Sequence, residues 1–567
     1  MKILSIYPYT HISSAALMID GKIVAASPEE RFNRIKMSTA FPFKAIDWCL
    51  KKANLKLDNI DLIVVPWNPS HNINDASSRW TNDLRWRGEM LSNIPINIMR
   101  MLNSEPAEEI IISFKNQKIV YLNHHECHAA SAFFTSPFKK TDILTIDGHG
   151  EIDTCFLGTG NEKKITKHGS VKYPHSVGLY YGSFTNFLGF KPDSDEWKVM
   201  ALASYETKKN IYDDKVNKLF NLTKDGFELD LSYFDFYTFD RRKFFFTTKF
   251  TKLFGEPRKK ESKITKRHNQ IAAAMQRSFE KIVFHLLVKL KKTGPKNNNI
   301  VLAGGAAMNC VFNGLLNKSK IYKNNYIPAY PDDLGVSIGA TYLANFKFNK
   351  KATRKIYHEK ENYFGPEFTD LEIKKELIKS NLNFINAKNN VSEITAEMLA
   401  NGKLIGWFQG RMEFSHRSLG NRAILADPRD EKMKDIVNRA IKFREGFRPF
   451  APSVLGDYAH KIFDLKKNEK IYFMEKAVKV RKNWKKIIPA VTHVDGTARV
   501  QTVTKKSNLK FYELISNFNK ITNVPVLLNT SFNLNGEPIV CSPKDAIRTF
   551  FSCGLDTLVI GNYIIKK

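Results

Sequence analysis

The sequence predicts an α/β protein of two domains, and three features carry this prediction. The chain has 567 residues, which allows two to four domains as a soft prior. Short apolar strands alternate with helical segments in both halves, which is the pattern of α/β folds. A basic, polar segment at 347–361 separates the halves. We therefore expect one domain over residues 1–355 and a second over residues 356–567.

The apolar pattern places the elements in turn along the chain. In the first domain, strands are predicted at 3–6, 14–19, 22–27, 61–65, 118–122, 142–146, 153–157, 165–171 and 300–303, and helices at 42–53, 78–102, 268–290 and 333–345. In the second domain, helices are predicted at 391–401, 432–440, 509–520 and 543–551, and strands at 404–408 and 524–528. Residues 206–262 lack a clean period, and we expect an insertion or lid there. We find no internal repeat.

Composition favours a globular protein in a reducing compartment. Apolar residues make up 43% and charged residues 26% of the chain. No run approaches the ~18 apolar residues of a membrane span, so no membrane partner is expected. Polar residues at 7–11 interrupt the apolar start, which argues against a secretory signal. Six cysteines stand far apart without a Cys-x-x-Cys pair, and this predicts a cytoplasmic location.

The formal charge of +31 leaves two interpretations open. An anionic partner, such as nucleic acid or a phosphorylated substrate, would account for it. A solvated, Lys-rich surface would also account for it, and we favour this second interpretation. The basic runs at 241–243, 258–267 and 289–296 lack the regular aromatic spacing of a nucleic-acid surface. The charge alone therefore does not identify the function.

Two histidines and two aspartates form the best metal signal. His124 and His128 are four residues apart, so on a helix both imidazoles lie on one face. Asp147 directly follows the strand at 142–146, and Asp333 stands at the start of a helix. A turn-forming role for Asp147 and a capping role for Asp333 remain open. Two imidazoles and two carboxylates suit Fe(II), Mn(II) or Zn(II).

Two further segments suggest phosphate binding. Gly304 and Gly305 follow the strand at 300–303 and open a predicted helix, whose backbone N–H groups can hold a phosphate. A tight strand-to-helix turn explains this pattern equally well. In the second domain, Arg-rich, Gly-bounded segments suit bidentate binding of phosphate, and a strand end adds amide and hydroxyl groups. The segments concerned are 406–422, 442–452 and 529–533. A surface basic patch is the alternative, and we favour an anion site because the arginines stand inside apolar, Gly-bounded segments.

Ordered motifs along nearly the whole chain resemble the NodU/CmcH-type O-carbamoyltransferases. The motifs of the first domain are Tyr9-Thr10-His11, Glu29-Glu30-Arg31-Phe32 through Lys36, His124-x-x-x-His128, Asp147-Gly148, Glu196-Trp197-Lys198, Gly304-Gly305 with Asn309-Cys310, and Asp333-x-Gly335. The Arg-rich segments of the second domain and His493–Gln501 continue the series. The order of the motifs is more specific than any one of them. Ala201 and the Ser415-His416 pair depart from the family pattern.

The resemblance implies an actin-like ATPase (ASKHA) fold for the first domain and a YrdC-like α/β fold for the second. It implies that His124, His128, Asp147 and Asp333 ligate a catalytic Fe²⁺ or another divalent transition metal. His11 and Lys36 are implied to stand at the transfer site. The implied ligands of ATP with Mg²⁺ and of carbamoyl phosphate are Gly304, Gly305, Asn309, Arg417, Lys442, Arg444, Arg448, Arg499, Asn529 and Ser531.

The function predicted on this basis is ATP-dependent O-carbamoyl transfer from carbamoyl phosphate, through carbamoyl-adenylate, to a hydroxyl of a small molecule. A sugar, a natural product or a hydroxymethylated nucleotide would serve as acceptor, and the basic charge favours a phosphorylated one. One alternative is a kinase-like ATPase of the actin-like superfamily, which would give ADP rather than AMP. Another is a tRNA- or nucleic-acid-binding modification protein, for which salt-sensitive binding would be the sign. The sequence leaves the oligomeric state open.

Overall fold

The chain divides into two compact units. One unit comprises Met1–Glu29 with Thr39–Ile356, and the other comprises Glu30–Ser38 with Tyr357–Lys567. The computed structural model describes residues 1–68, 94, 97–98, 101, 118–238, 244–295, 297–354 and 362–567. The helix predicted at 78–102 and the basic run at 241–243 therefore fall outside the described residues, apart from 94, 97–98 and 101.

Residues 30–38 group with the second unit, although they lie within the range predicted for the first domain. The guanidinium of Arg31 donates to the carbonyl oxygen of Ser415 at 3.1 Å. That of Arg34 donates to the carbonyl oxygen of Ile539 at 2.7 Å. These long-range contacts could not be read from the local sequence pattern.

The first unit contains two sheets of the same topology. Its strands are β1 (Lys2–Tyr7), β2 (Ser14–Ile19), β3 (Lys22–Pro28), β4 (Leu62–Val65), β5 (Lys118–Tyr121), β6 (Lys140–Ile146), β7 (Asp153–Asn161), β8 (Lys164–Lys172), β9 (Phe220–Thr223), β10 (Gly226–Leu229), β11 (Asn299–Ala303) and β12 (Asn324–Tyr326). One sheet has the order β3-β2-β1-β4-β5 and the other β8-β7-β6-β11-β12. In each, the central strand pairs antiparallel on one side and parallel on the other. Such a duplication is expected of an actin-like ATPase domain, and no internal repeat of the sequence accompanies it.

Helices cover these sheets and those of the second unit. They are α1 (Glu30–Asn33), α2 (Phe43–Lys52), α3 (His124–Thr135), α4 (Val177–Phe187), α5 (Glu196–Ala203), α6 (Asp213–Val216), α7 (Thr248–Phe254), α8 (Lys266–Thr293), α9 (Cys310–Ser319), α10 (Asp333–Phe348), α11 (Asp370–Lys379), α12 (Val391–Ala400), α13 (Met433–Val437), α14 (Ala459–Ile462), α15 (Leu509–Thr522) and α16 (Pro543–Phe551). Within the described ranges, no helix combines the length and apolar character that a bilayer crossing requires.

Helices α3 and α10 pack closely, and this contact brings two halves of a candidate site together. A Cβ atom at Gly339 of α10 would overlap the carbonyl oxygen of Cys127 in α3. Glycine therefore allows an approach that no other residue permits.

We expect Gly339→Ala to push the two helices apart and to lower the stability of the first unit by ~1–3 kcal/mol, the usual cost of overpacking. The midpoint of thermal unfolding measures this effect. Gly169→Ala is the matched control, because a Cβ atom there meets no atom within 4 Å. Equal unfolding midpoints for the two variants would contradict the close-packing account.

The second unit is built on a mixed sheet of the α/β class that the sequence predicted. Its strands are β13 (Ile385–Asn386), β14 (Ile405–Phe408), β15 (Arg422–Ala426), β16 (Ala451–Leu455), β17 (Ala477–Lys479), β18 (Thr497–Arg499), β19 (Gln501–Val503), β20 (Val526–Ser531), β21 (Thr557–Ile560) and β22 (Tyr563–Lys566). Among the described residues, eight strands form one sheet in the order β13-β22-β21-β14-β15-β20-β16-β19, and β17 pairs with β18. The helix predicted at 432–440 changes type, because α13 continues as a π-helical turn over Asn438–Lys442.

Candidate metal centre and anion site

Four side chains of the first unit converge on one buried point. His124 and His128 lie on α3, Asp147 follows β6, and Asp333 is the first residue of α10. One ligand atom from each lies within 4.8 Å of all the others. Both imidazoles are fully buried, and the two carboxylates are largely buried. The structure thus brings together all four residues that the sequence singled out for a metal.

The distances between these atoms suit a single ion. His124 Nε2 lies 3.4 Å from both Asp147 Oδ2 and Asp333 Oδ1. His128 Nε2 lies 3.5 Å and 3.4 Å from the same two oxygens. The two Nε2 atoms are 3.1 Å apart. Ligand atoms at these separations can be reached by one ion at the usual metal–nitrogen and metal–oxygen bond lengths of about 2.0–2.2 Å.

Neighbouring groups orient each ligand toward this centre. His124 Nδ1 lies 3.2 Å from the carbonyl oxygen of Pro66, which can only accept, so Nδ1 carries the proton and Nε2 the lone pair. The N–H of Gly305 donates to Asp147 Oδ1 at 2.7 Å. The hydroxyl of Tyr7 donates to Asp333 Oδ2 at 2.9 Å. Each carboxylate is therefore anchored by one oxygen and presents the other.

The electrostatics agree with this arrangement. Burial opposes the charge of Asp147, yet the neighbouring imidazoles of His124 and His128 hold its pKa well below the ordinary value, so the carboxylate stays ionised. Burial, and next the charge of Asp333, raise the pKa of Tyr7 well above its usual range. The Tyr7 hydroxyl therefore keeps its proton and stays a donor. Two nitrogen and two carboxylate donors in a buried cluster fit Fe(II), Mn(II) or Zn(II).

The competing interpretations of the two aspartates are resolved by these contacts. Asp332, not Asp333, occupies the N-cap position of α10, so Asp333 is not the helix cap. Asp147 faces both imidazoles and Gly305, so it does more than form a turn.

We expect Tyr7→Phe to weaken metal binding about 10- to 100-fold, because Asp333 loses the donor that orients it. Calorimetric titration with Mn²⁺ or Zn²⁺ measures this affinity. Tyr326→Phe is the control, since the hydroxyl of Tyr326 bonds Thr135 at 3.2 Å instead of a ligand. Unchanged affinity in Tyr7→Phe would show that the hydroxyl does not orient Asp333.

Gly304, Gly305 and Asn309 make local contacts with the strand end, with Asp147 and with the following helix, and their nucleotide role stays a prediction. A Cβ atom at Gly304, where φ is +87°, would overlap the backbone of Ile146. The Gly305 N–H is engaged by Asp147 and is not available to a phosphate. The α-helix begins at Cys310, and the Asn309 side chain caps it by accepting the N–H of Phe312 at 3.0 Å. The tight-turn interpretation therefore describes this segment.

His11 and Lys36, predicted together at the transfer site, belong to different units. His11 is exposed on the loop between β1 and β2, four residues after Tyr7. Lys36 lies in residues 30–38, which belong to the second unit. Its charge helps to lower the pKa of Lys442, so it stands near the basic cluster of that unit. The role of His11 and Lys36 at one transfer site stays a prediction.

Lys442 stands at the end of the π-helical turn, at the centre of the basic cluster. Its Nζ donates to the carbonyl oxygens of Ser531 and Asn533 at 2.5 Å and 3.0 Å and to Asn533 Oδ1 at 2.9 Å. Arg444 Nε donates to Asn438 Oδ1 at 2.8 Å. Single-turn π-helical segments often mark functional sites.

The cations of this cluster destabilise one another. Burial lowers the pKa of Lys442 well below its usual value, and the charges of Arg444, Arg448 and Lys36 lower it further. Burial and then Arg448 and Arg499 lower the pKa of Arg444 to about 9. Buried charges of one sign are costly without a counter-ion. We interpret the cluster as an anion site.

The remaining predicted residues lie in the same unit. Arg417 donates to the carbonyl oxygens of Phe473 and Met474 at 3.3 Å and 3.1 Å. Arg499 on β18 has a buried Nε without an acceptor in the described part of the chain. Asn529 uses its amide nitrogen on Ser453 Oγ at 3.0 Å, while its buried Oδ1 accepts from no described residue. Such orphaned atoms suit a polar ligand.

The site residues predicted from the sequence do not include Tyr7, Glu151, Glu413 or Asn533. Glu151 accepts the backbone N–H of His124 at 2.9 Å. Glu413 Oε1 accepts the N–H groups of Leu419 and Asn421 at 2.9 Å and 2.7 Å, and so shapes the loop that carries Arg417. Of these four residues, only Asn533 has a local signal in the sequence, because it stands two residues after the predicted ligand Ser531.

Known proteins match both units of the chain. The family model described as "Carbamoyltransferase N-terminus" matches residues 2–342, and "Carbamoyltransferase C-terminus" matches residues 396–567. The nodulation protein NolNO of Sinorhizobium fredii is 37% identical over 99% of this chain and 79% of its own length. An uncharacterized protein of Synechocystis is 36% identical over 100% of this chain and 96% of its own. One from Methanocaldococcus jannaschii is 32% identical over 98% of both chains.

Proposed function

The chain belongs to the carbamoyltransferase family, and we propose that this enzyme is an ATP-dependent O-carbamoyltransferase. The observation that carries the proposal is the presence of two chemically different sites in one chain. Four converging ligand atoms in the first unit suit a metal that activates a carbonyl group. Buried cations around Lys442 in the second unit suit the phosphates of carbamoyl phosphate and ATP.

In the second unit, carbamoyl phosphate, ATP and water yield carbamoyl-adenylate, phosphate and pyrophosphate. One water molecule is needed to balance the equation. The carbamoyl group keeps the oxygen that linked it to phosphorus and bonds AMP through it, so the released phosphate takes its fourth oxygen from water. Lys442, Arg444 and Arg448 stabilise the negative charge that develops on the leaving groups. Mg²⁺ accompanies ATP in this step.

In the first unit, a hydroxyl of the acceptor attacks the carbamoyl carbon, and AMP leaves. A divalent metal, Fe²⁺ in this proposal, would be held by His124, His128, Asp147 and Asp333 and would polarise the carbonyl oxygen. Gly305 and Tyr7 keep the carboxylate ligands in position for that role. His11 takes the proton of the attacking hydroxyl. Its exposed position, on the loop that follows Tyr7, supports this role.

The acceptor is a small hydroxyl-bearing molecule in this proposal. The net charge of +31 favours an acceptor that carries phosphate. All six cysteines are free thiols, which supports a cytoplasmic site for the reaction.

The test uses the full-length protein with ATP, Mg²⁺ and Fe²⁺, with and without carbamoyl phosphate. We expect pyrophosphate only when carbamoyl phosphate is present, and AMP with a product heavier by one carbamoyl group when an acceptor is added. Mass spectrometry identifies the nucleotide and the product. Formation of ADP independent of carbamoyl phosphate would overturn the proposal in favour of a kinase-like ATPase.

A further inference from the structure

The turn before β18 holds a histidine in one defined tautomer. The hydroxyl of Thr497 donates to Asp495 Oδ1 at 2.7 Å and lies 3.2 Å from His493 Nδ1. A carboxylate only accepts, so the single hydroxyl hydrogen of Thr497 is directed to Asp495. His493 Nδ1 must then donate to Thr497, and the lone pair of the ring is on Nε2.

The Nε2 atom of His493 is available to a ligand. It is buried, and it has no hydrogen-bond partner in the part of the chain that the structure describes. Buried polar atoms are nearly always bonded, so an unpaired one points to a partner from outside the chain. Burial lowers the pKa of His493 to about 4, against the opposing charge of Asp495. The ring is therefore neutral near pH 7, and its Nε2 lone pair is free to accept a proton.

His493 adjoins the basic cluster of the second unit. The charge of Arg499 acts on His493 and also on Arg444. A hydrogen bond with the Phe450 backbone acts on the His493 pKa in the raising direction, and the Arg444 guanidinium lies 4.5 Å from the centre of the Phe450 ring.

The cluster needs a proton acceptor that its own cations cannot provide. Lysine and arginine side chains are donors only, so they bind phosphate but cannot take a proton from water. The balanced reaction of the second unit consumes one water molecule, whose proton must be removed as it attacks. His493 Nε2, beside the basic cluster, is a neutral atom that can accept this proton.

We propose that His493 is the general base for the water molecule that cleaves carbamoyl phosphate, an inference that rests on the proposed function of the second unit. The water oxygen forms a bond to phosphorus, the bond between phosphorus and the carbamoyl oxygen breaks, and carbamate leaves. The proton of the water passes to His493 Nε2 and then, through the released phosphate, to solvent. A carbamate oxygen next bonds the α-phosphorus of ATP, and pyrophosphate leaves.

The variant that tests this role is His493→Asn in the full-length protein. The asparagine amide can still donate to Thr497, but it places no lone pair at the position of Nε2. With carbamoyl phosphate and ATP, we expect kcat for phosphate and pyrophosphate release to fall by at least about 10²-fold, while KM for carbamoyl phosphate stays within about threefold of wild type. His168→Asn in β8 of the first unit is the matched control and should retain wild-type rates.

A second arm separates loss of the base from loss of structure. Ammonium bicarbonate solutions contain carbamate, which needs no water attack before it reacts with ATP. We expect His493→Asn and wild type to release pyrophosphate from this mixture at similar rates. The proposal is overturned if the variant keeps its rate with carbamoyl phosphate, if only KM changes, or if the variant loses both carbamoyl sources equally.

The reaction of the wild-type protein tests the proposed function independently of the role of His493. If wild type makes no pyrophosphate from carbamoyl phosphate and ATP, the proposed function fails, whatever His493→Asn does. If wild type uses carbamoyl phosphate but not added carbamate, the kcat and KM of the variant decide the role of His493. In ¹⁸O-water, wild-type phosphate should gain one labelled oxygen, and label in the carbamoyl group instead would contradict attack at phosphorus.

Discussion

Replacing both His124 and His128 by alanine is expected to reduce carbamoyl transfer to the acceptor by at least about 10³-fold, equivalent to ~4 kcal/mol of transition-state stabilisation. The physical reason is the loss of two of the four ligands, whose Nε2 atoms lie 3.1 Å from each other and 3.4–3.5 Å from the carboxylate oxygens. Pyrophosphate release from carbamoyl phosphate and ATP should persist, because the basic cluster of the second unit is untouched. Product formation by mass spectrometry and metal content by elemental analysis measure the two effects.

His168→Ala is the control for this pair, since His168 bonds Thr159 at 2.8 Å on β8. It should keep both activities and the bound metal. Transfer at the wild-type rate in the double variant would show that the four-ligand cluster has no part in the reaction.

Replacing Lys442 by methionine is expected to reduce carbamoyl-dependent pyrophosphate release by about 10²- to 10³-fold, the usual effect of removing one charged donor from a developing negative charge. Methionine keeps much of the volume but removes the Nζ that bonds the Ser531 and Asn533 carbonyls. The pyrophosphate release assay measures this loss. Metal affinity of the first unit should be unchanged, which separates the loss from general misfolding.

Lys461→Met is the matched control, because Lys461 is exposed on α14. It should release pyrophosphate at the wild-type rate. A rate in Lys442→Met above about a third of the wild-type rate would contradict this role. The loss of one charged donor to the reacting phosphates should lower the rate much further.

The metal ligands could be predicted from local rules. The spacing of His124 and His128 fixes one helix face, and Asp147 and Asp333 stand at element ends, where folds of this class place ligands. Their anchors could not be predicted in this way. Tyr7 and Asp333 are 326 residues apart in sequence, and Gly305 and Asp147 are 158 apart. Only the tertiary fold brings such pairs together.

Some sequence patterns fit more than one structural role. Gly304 and Gly305 have the spacing of a phosphate loop, but the Gly305 N–H is taken by Asp147. Asn309 fits a family motif and acts locally as a helix cap. Residues 30–38 continue the first domain in sequence, but contacts with Ser415 and Ile539 tie them to the second unit. Local periodicity carries no information on such distant partners.

The identity of the intermediate tests the central claim most directly. The His124→Ala, His128→Ala double variant is incubated with ATP, Mg²⁺ and isotopically labelled carbamoyl phosphate, and the nucleotides are separated and weighed. The two-site account predicts that carbamoyl-adenylate, which is AMP plus one labelled carbamoyl group, accumulates with one equivalent of pyrophosphate. ADP, or AMP and pyrophosphate without carbamoyl phosphate, would contradict it.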